Sequence, residues 1–431
     1  MNTDNITNVV DNELCFGCGT CLAICPSDAI RMKFSPLGRL LPDVNDDACT
    51  HCGLCQKVCP GIDLSGDLSE ALDASLMGHV ESLSFAKSTD KSIFDNAQSG
   101  GAVTSTLSYL FESKLIDAAL VVHQVQHEAK FKVVTGKEEL LQCQSSQYTP
   151  IDLNSGLRDI ANYEHVAVVG LPCHIEGIVK VKKAFPNRFN NIAYLLGLVC
   201  AGTLAQSCVE VTKRIGEPKI GKIAEDDTIY WRLKKYSNYD RADIAIVGPD
   251  GNARILDNNI RHICKHHLTA PRCKLCFDKM NLYSDIVFGD CWGLTGEDTK
   301  GGGNIIISRT TKGSEVIAKM CESGLLVSRP CSIDEVSKGQ GIHKKKRTVE
   351  KVLAIYQQRS LLTPGWAKSA IFSKEESIDK SQSKEIDCFI KRDKLPSEVA
   401  LKEVTSKVKT KLVFKKFTAK VRKAIGYKKN S

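Results

Sequence analysis

Nothing in this 431-residue chain stays apolar long enough to cross a bilayer, for which about 20 consecutive residues are needed. Its start, MNTDNITNVVDNELCFGCGTCLA, lacks the basic opening and apolar run of a secretory signal, so a reducing, cytoplasmic compartment is expected. No G-x-G-x-x-G fingerprint is present, which leaves a Rossmann-type nicotinamide site without support. A net positive excess is also missing from most of the chain, although the formal total is +9. From residue 399 onward eleven Lys/Arg stand against one acid, Glu403, so the tail carries +10 and everything before it sums to −1. No nucleic-acid reader fold accompanies that tail, and no nucleic-acid partner is expected.

What the chain has in excess is cysteine, nineteen in all. In a reducing compartment close cysteine spacing speaks for metal or redox chemistry rather than disulfides. Residues 13–29 and 47–63 are two copies of one unit: Cys15, Cys18, Cys21 and Cys25-Pro26, then Cys49, Cys52, Cys55 and Cys59-Pro60. Each reads C-x2-C-x2-C-x3-C-P, the run that holds 4Fe–4S clusters, and in two-cluster ferredoxins the fourth cysteine serves the other cluster. The short spacings wrap three iron corners, and the proline turns the chain away to carry the last thiolate across. Cys15, Cys18, Cys21 and Cys59 are therefore expected on one cluster, and Cys49, Cys52, Cys55 and Cys25 on the other. Zinc also takes four thiolates, but zinc ribbons use separated C-x2-C pairs.

The middle of the chain reads as α/β. HVAVVGLPCHIEGIVKVKKAF and NIAYLLGLVCAG are apolar strands of the buried, parallel kind, the first followed by a helical pattern. TIYWRLKKYSNYDRADIAIVGPDGNARIL reads as a hairpin turning at GPDGN. Cys173 and Cys200 follow apolar strands, and Cys273 and Cys276 precede SDIVFGD, so four thiolates could meet at the carboxyl edge of a sheet. Spacing leaves open whether Cys173 and Cys200 are ligands or small buried hydrophobes. Cys264, beside His266 and His267, and Cys291 are rival ligands. Cys143, Cys208, Cys321, Cys331 and Cys388 have no partner pattern. Ser99-Gly100-Gly101 with Thr104 opens a helical run and suits a phosphate; Gly301-Gly302-Gly303-Asn304 could form a nest.

SGGAVTSTLSYLFESKLIDAA, GLPCHIEGI, GLVCAG and CKLCFDKMNLYSDIVFGDCWG, in that order behind a two-cluster ferredoxin module, resemble the beta subunit family of coenzyme F-420 hydrogenases and dehydrogenases over roughly residues 1–350. The resemblance implies FAD in the α/β core, contacted by Ser99, Gly100, Gly101 and Thr104. It also implies a third 4Fe–4S cluster on Cys173, Cys200, Cys273 and Cys276. The expected fold class is an α+β ferredoxin-like two-cluster module followed by an α/β flavin-binding core and a basic helical tail. The expected divisions are a ferredoxin domain at 1–63, a connector at 64–84, the family's amino-terminal part at 85–165 and its carboxyl-terminal part at 166–350. A helical segment and linker at 351–398 and a basic amphipathic tail at 399–431 complete the chain.

The implied function is an iron–sulfur flavoprotein oxidoreductase that passes electrons between clusters and FAD, to or from an organic substrate or a ferredoxin-like carrier. Redox partner proteins or reduced ferredoxin are its expected partners, and no side chain is assigned as catalytic. The fused module and the long tail depart from the archetypal subunits and put use of the deazaflavin coenzyme in doubt. The alternative is a non-enzymatic electron-transfer or adaptor protein of a polysaccharide-biosynthetic complex, like relatives found with such genes. In the tail, Leu401, Val404, Val408 and Leu412 fall on one helical face, with Val413, Phe414, Phe417, Val421 and Ile425 nearly opposite. Two amphipathic segments or one bent helix are expected there, in contact through 399–427 with the inner face of the membrane or with an acidic partner. A solvated helix packed weakly on the body is the plainer reading.

Overall fold

Between the two cysteine runs the chain makes a small antiparallel ribbon. β1 (Ile30–Phe34) pairs with β2 (Leu40–Val44), Ile30 opposite Val44 and Phe34 opposite Leu40. Each cysteine run contains a short helix, Thr20–Ile24 and Leu54–Lys57. The computed structural model describes residues 5–63, 76–372 and 378–424, the side chains of 422–424 excepted. Most of the expected connector, residues 64–75, and the end of the tail with Ile425 lie outside the described residues.

The body is built on an eight-stranded sheet among the described residues. Its strands are β3 (Ser82–Ser88), β4 (Ala118–Val125), β5 (Glu128–Val134), β6 (Val166–Gly170) and β7 (Ile192–Leu198). After an insertion carrying β8 (Thr228–Tyr230), β9 (Ile244–Val247) and β10 (Ala253–Leu256), the chain returns as β11 (Ile286–Asp290), β12 (Asn304–Ser308) and β13 (Leu326–Pro330). The spatial order is β13-β3-β12-β11-β7-β6-β4-β5. β4, β6, β7 and β11 run parallel, while β5, β12 and the β3–β13 pair are joined antiparallel, so the sheet is mixed.

Strand sequence explains strand position. VAVVG of β6 and NIIIS of β12 are buried at every residue, as central strands covered on both faces must be. β13 is an edge and leaves Val327 exposed. Alternate residues face opposite layers. Ala119, Val121, Ala167 and Val169 pack under the helices Ala102–Glu112 and Thr311–Glu322, through Leu107, Leu110, Val316 and Met320. Ala118, Leu120, Val166 and Val168 pack under Pro172–Ala184 through Ile175, Ile178 and Val181, and that layer also takes Ala23, Ile24 and Val58 from the cysteine module.

The module is thus welded to the body. Arg158 donates to the carbonyls of Leu22 at 2.6 Å and Cys25 at 3.0 Å, Lys180 Nζ to those of Cys59 at 2.8 Å and Asp63 at 2.7 Å, and the Asn154 N–H to Cys18 O at 3.0 Å.

The insertion forms a second lobe. β10-β9-β8 is a three-stranded sheet, with the β9–β10 hairpin turning where GPDGN places it. It packs with helices Cys208–Ile220, Asn259–Leu268 and the carboxyl-terminal helix Ser397–Ala424. One expectation changes. The linker expected within 351–398 is helical where it is described past residue 378: Lys380–Asp393 is a helix that buries Ile386, Phe389 and Arg392, three residues apart, and exposes the charges between them. Of the two arrangements expected for the tail, the described residues form one helix, Ser397–Ala424, anchored by Ala400, Val404, Val408 and Leu412, which are buried in the lobe. Each buried Val or Leu there contributes about 1.5–3 kcal/mol.

Candidate functional site

In the amino-terminal module the cysteines sort as crossed sets. Cys15, Cys18, Cys21 and Cys59 interact electrostatically with one another. Cys25, Cys49, Cys52 and Cys55 line a separate small cavity. Local backbone shapes each donor: Gly17, at φ +75°, turns its N–H to 3.3 Å from Cys15 Sγ, and the Gly61 N–H stands 3.3 Å from Cys59 Sγ. Thr20 Oγ1 lies 3.1 Å from Cys18 Sγ. Burial, reinforced by the neighbouring thiols, pushes Cys15 up to about 12 and Cys59 up to about 11. Without a metal these sulfurs are neutral thiols, and ligation to iron would hold them as thiolates despite the burial.

The body repeats the device. The carboxyl ends of β6, β7 and β11 lie side by side, which brings Cys173 after β6 and Cys200 after β7 to one edge of the sheet. Cys173 sits in the first turn of Pro172–Ala184, at the positive end of its helix. Cys273 lies in the short helix Pro271–Leu275, and Cys276 is the extended residue that ends it. Cys173 interacts with Cys18, Cys200, Cys273 and Cys276, so the body set adjoins the first amino-terminal set. Gly202, at φ +104°, points its N–H at Cys200 Sγ from 3.3 Å, reproducing the Cys15–Gly17 pair. Burial raises Cys200 to about 12 and Cys276 to about 11.

The rivals go elsewhere. Cys264 is buried beside Cys208 in the apolar core of the second lobe, His266 pairs with Glu385, and Cys291 is buried with its Sγ 3.7 Å from the Tyr239 hydroxyl. Among the described residues no three His, Cys, Asp or Glu side chains close on a point as a single ion would require.

A cleft of about 310 Å³ opens over the body set at the same sheet edge. All four body cysteines line it, together with Ser99, Gly101 and Thr104. Gly100 is turned away instead: a Cβ there would stand 2.6 Å from Asn304 Oδ1 and 2.9 Å from Ala86 O. Gly301–Asn304 braces this segment rather than forming a separate nest. Ser99 Oγ donates to Gly303 O at 2.5 Å, the Ala102 N–H donates to Asn304 Oδ1 at 3.1 Å, and Lys234 Nζ donates to Ser99 O at 2.6 Å and Gly301 O at 3.2 Å. The glycine-led helix Ala102–Glu112 therefore starts at the cleft with its amino end fixed.

Several cleft and inter-set residues carried no sequence signal. Both side-chain amide atoms of buried Gln98, Ser145 Oγ, Gln147 Oε1 and an Arg232 guanidinium nitrogen are buried without a hydrogen-bond partner among the described residues, and all four of these residues line the cleft. Ser145 is held at φ +117°, a conformation seldom kept without a functional reason. Arg232 is paired with Asp290 at 2.5 Å. Arg272 is buried between the sets, near Cys59, Cys273 and Cys276, with its guanidinium 4.1 Å from the centre of the Phe16 ring and its Nε and Nη1 without a hydrogen-bond partner among the described residues. Gln98 adjoins the SGG signature, Ser145 and Gln147 share one stretch, and Arg272 precedes Cys273, but no common spacing links these stretches to one another or to Arg232.

Three family models match the chain: the coenzyme F-420 hydrogenase/dehydrogenase beta subunit amino-terminal domain over residues 84–158, its carboxyl-terminal domain over 163–334, and a 4Fe-4S dicluster domain over 14–61. Coenzyme F-420 hydrogenase subunit beta of Methanococcus voltae is 29% identical over 301 residues, 67% of this chain and 98% of the relative. Coenzyme F-420-dependent sulfite reductase of Methanocaldococcus jannaschii is 27% identical over 365 residues, 80% of this chain and 52% of that protein. A chain of the F-420-reducing NiFe hydrogenase complex from Methanosarcina barkeri shares the fold with a TM-score of 0.50 and 21% identity, covering 64% of this chain and 93% of its own. With a dicluster module ahead of both halves of the matched body, this chain belongs to the coenzyme F-420 hydrogenase/dehydrogenase beta subunit family.

Proposed function

We propose that the chain is an iron–sulfur flavoprotein oxidoreductase that passes electrons between its amino-terminal clusters and a substrate bound at the body cleft. The observation that carries this is the meeting, in one cleft, of Ser99, Gly101 and Thr104 with Cys173, Cys200, Cys273 and Cys276, next to the Cys15 set. Cys15, Cys18, Cys21 and Cys59 would hold one 4Fe–4S cluster, Cys49, Cys52, Cys55 and Cys25 a second, and the body cysteines a third. Arg272 supports two of these positions. A buried guanidinium without full pairing is costly, and anionic clusters on Cys59's side and on the Cys273/Cys276 side would both compensate it.

FAD suits the cleft for a similar reason. Unpartnered amide, hydroxyl and guanidinium groups of Gln98, Gln147, Ser145 and Arg232 line it, and a ring with donor and acceptor edges would satisfy them. A flavin accepts one or two electrons, so it links single-electron clusters to a hydride-equivalent substrate. The protein's part is positional. The order Cys49 set, Cys15 set, body set, cleft forms a continuous relay, since Cys21 adjoins Cys55 and Cys173 adjoins Cys18. The coenzyme named in the relatives is the first substrate to assay, followed by reduced ferredoxin.

Protein prepared without oxygen is expected to show flavin absorbance and about twelve irons per chain. A flavin-free protein after full reconstitution would defeat the flavin reading, and zinc in place of iron at the body set would defeat the third cluster. Flavin that no candidate donor or acceptor reduces or reoxidises in single turnover would leave the adaptor reading standing instead.

A further inference from the structure

The carboxyl-terminal helix has two apolar faces, and the body uses one. Ala400, Val404, Val408 and Leu412 are buried against the second lobe. On roughly the opposite side of the helix, at about 100° per residue, Val413, Phe414, Phe417 and Val421 form a ridge exposed to 69%, 66%, 62% and 41%. Leu412 is the last buried residue among those described, and from Val413 to Val421 all but the half-buried Thr418 are exposed, so the ridge stands clear of the body. Lys409, Lys416 and Lys420 project along one shoulder of the ridge, Lys407 and Lys411 along the other, all exposed. Lys415 turns back to Asn259 Oδ1 and holds the helix to the lobe. After Glu403 the chain contains no further acidic residue.

Single exposed apolar side chains need no explanation, but a row of four between two lines of lysine does. We propose that this ridge docks the protein on an anionic lipid surface. A helix lying in the bilayer interface places aromatic and aliphatic side chains at the headgroup–acyl boundary and basic side chains among the phosphates. The ridge is convex and belongs to a projecting rod, so a planar anionic surface meets both lysine shoulders at once. The four apolar residues are too few to anchor by themselves, so lysine and phenylalanine contributions are both required. The buried face keeps the redox body beside the membrane, because the same helix is fixed to the second lobe over its first four turns.

The test is flotation of the full-length, cluster-loaded protein with vesicles of phosphatidylcholine, with and without phosphatidylglycerol. Recovery with the anionic vesicles only, falling as salt is raised, is expected. Lys409→Gln/Lys416→Gln/Lys420→Gln should weaken binding by roughly fivefold per lysine, about a hundredfold in all. Phe414→Ser/Phe417→Ser should weaken it by at least about tenfold. Both variants change exposed side chains, and unaltered cluster absorbance and melting temperature establish that they fold. Failure to float with anionic vesicles overturns the proposal, as does flotation that neither variant weakens. Retention on immobilised polyglutamate without vesicle binding assigns the ridge to an acidic protein instead. Sedimentation as a dimer that Phe414→Ser/Phe417→Ser dissociates assigns it to a second copy.

Discussion

Replacing Gly177 by alanine puts a methyl group into the joint between the cysteine module and the body. Gly177 lies in Pro172–Ala184, four residues after Cys173, and a Cβ there would stand 2.2 Å from Thr20 Oγ1, 2.8 Å from Asn154 Nδ2 and 3.3 Å from Thr20 Cβ. The first distance is about 1 Å short of an ordinary contact. Neither neighbour can give way to solvent, since Thr20 is 1% and Asn154 0% exposed. Asn154 Nδ2 is also committed, donating to Thr20 Oγ1 at 2.8 Å and His174 O at 2.9 Å. Helix propensity favours alanine by about 1 kcal/mol, while crowding costs about 1–3 kcal/mol and a broken buried hydrogen bond about 1–3 kcal/mol more. The net expectation is a loss of about 1–5 kcal/mol, or several degrees in melting temperature.

Thermal unfolding of the cluster-loaded protein, followed by circular dichroism and by cluster absorbance, measures this loss. Thr20→Ala removes the atom at 2.2 Å. The double variant should therefore be more stable than the two single losses predict, by about 1 kcal/mol or more. Gly53→Ala is the control: it is left-handed at φ +72° with nothing among the described residues within 4 Å of the added Cβ, so it should cost about 1 kcal/mol from backbone strain, with no coupling to Thr20. A Gly177→Ala protein as stable as the parent, or losses that simply add, would refute the close approach of helix and module.

Crossed ligation predicts which double variants are redundant: Cys59→Ser with Cys18→Ser should lose about four irons, as either single variant does, while Cys59→Ser with Cys52→Ser should lose about eight by iron analysis. Equal losses in both pairs would exclude the crossing. Arg272→Met removes one positive charge from between the Cys59 and Cys273/Cys276 sets, and redox titration should find the clusters proposed for those two sets shifted to lower potential, with the one proposed for the Cys49 set unmoved. Burial, with Lys411 and Arg392 nearby and Glu385 opposing them, lowers His267 to about 4. The unfolded chain therefore takes up this proton first as pH falls, so the stability that neutral His267 contributes is complete above about pH 6.5 and is lost between there and about pH 4. His267→Leu should flatten denaturant-measured stability across that window; an unchanged slope would place the titrating group elsewhere.

The chemistry at the amino terminus was legible in the sequence because it is local. Three cysteines within seven residues wrap a cubane wherever they are placed, and the C-P that follows carries the fourth thiol away. The strands Val166–Gly170 and Ile192–Leu198 and the glycine-led helix at Ala102 were legible for the same reason: unbroken burial, period and breaker residues are properties of short stretches. The two faces of the tail were also visible in its spacing.

Tertiary structure decided what spacing left equal. Cys173 and Cys200 meet because β6 and β7 are adjacent and parallel, and Cys264, as plausible by sequence, is turned into the second lobe. Packing alone chose Val404 and Val408 for the body and left Phe414 and Phe417 outside. Gln98, Ser145, Arg232 and Arg272 acquired meaning only where distant segments buried their polar atoms without partners. A metal-binding run is encoded in the covalent reach of a few residues. A cleft is encoded in which strands pair, and that is settled by the burial of the whole sheet.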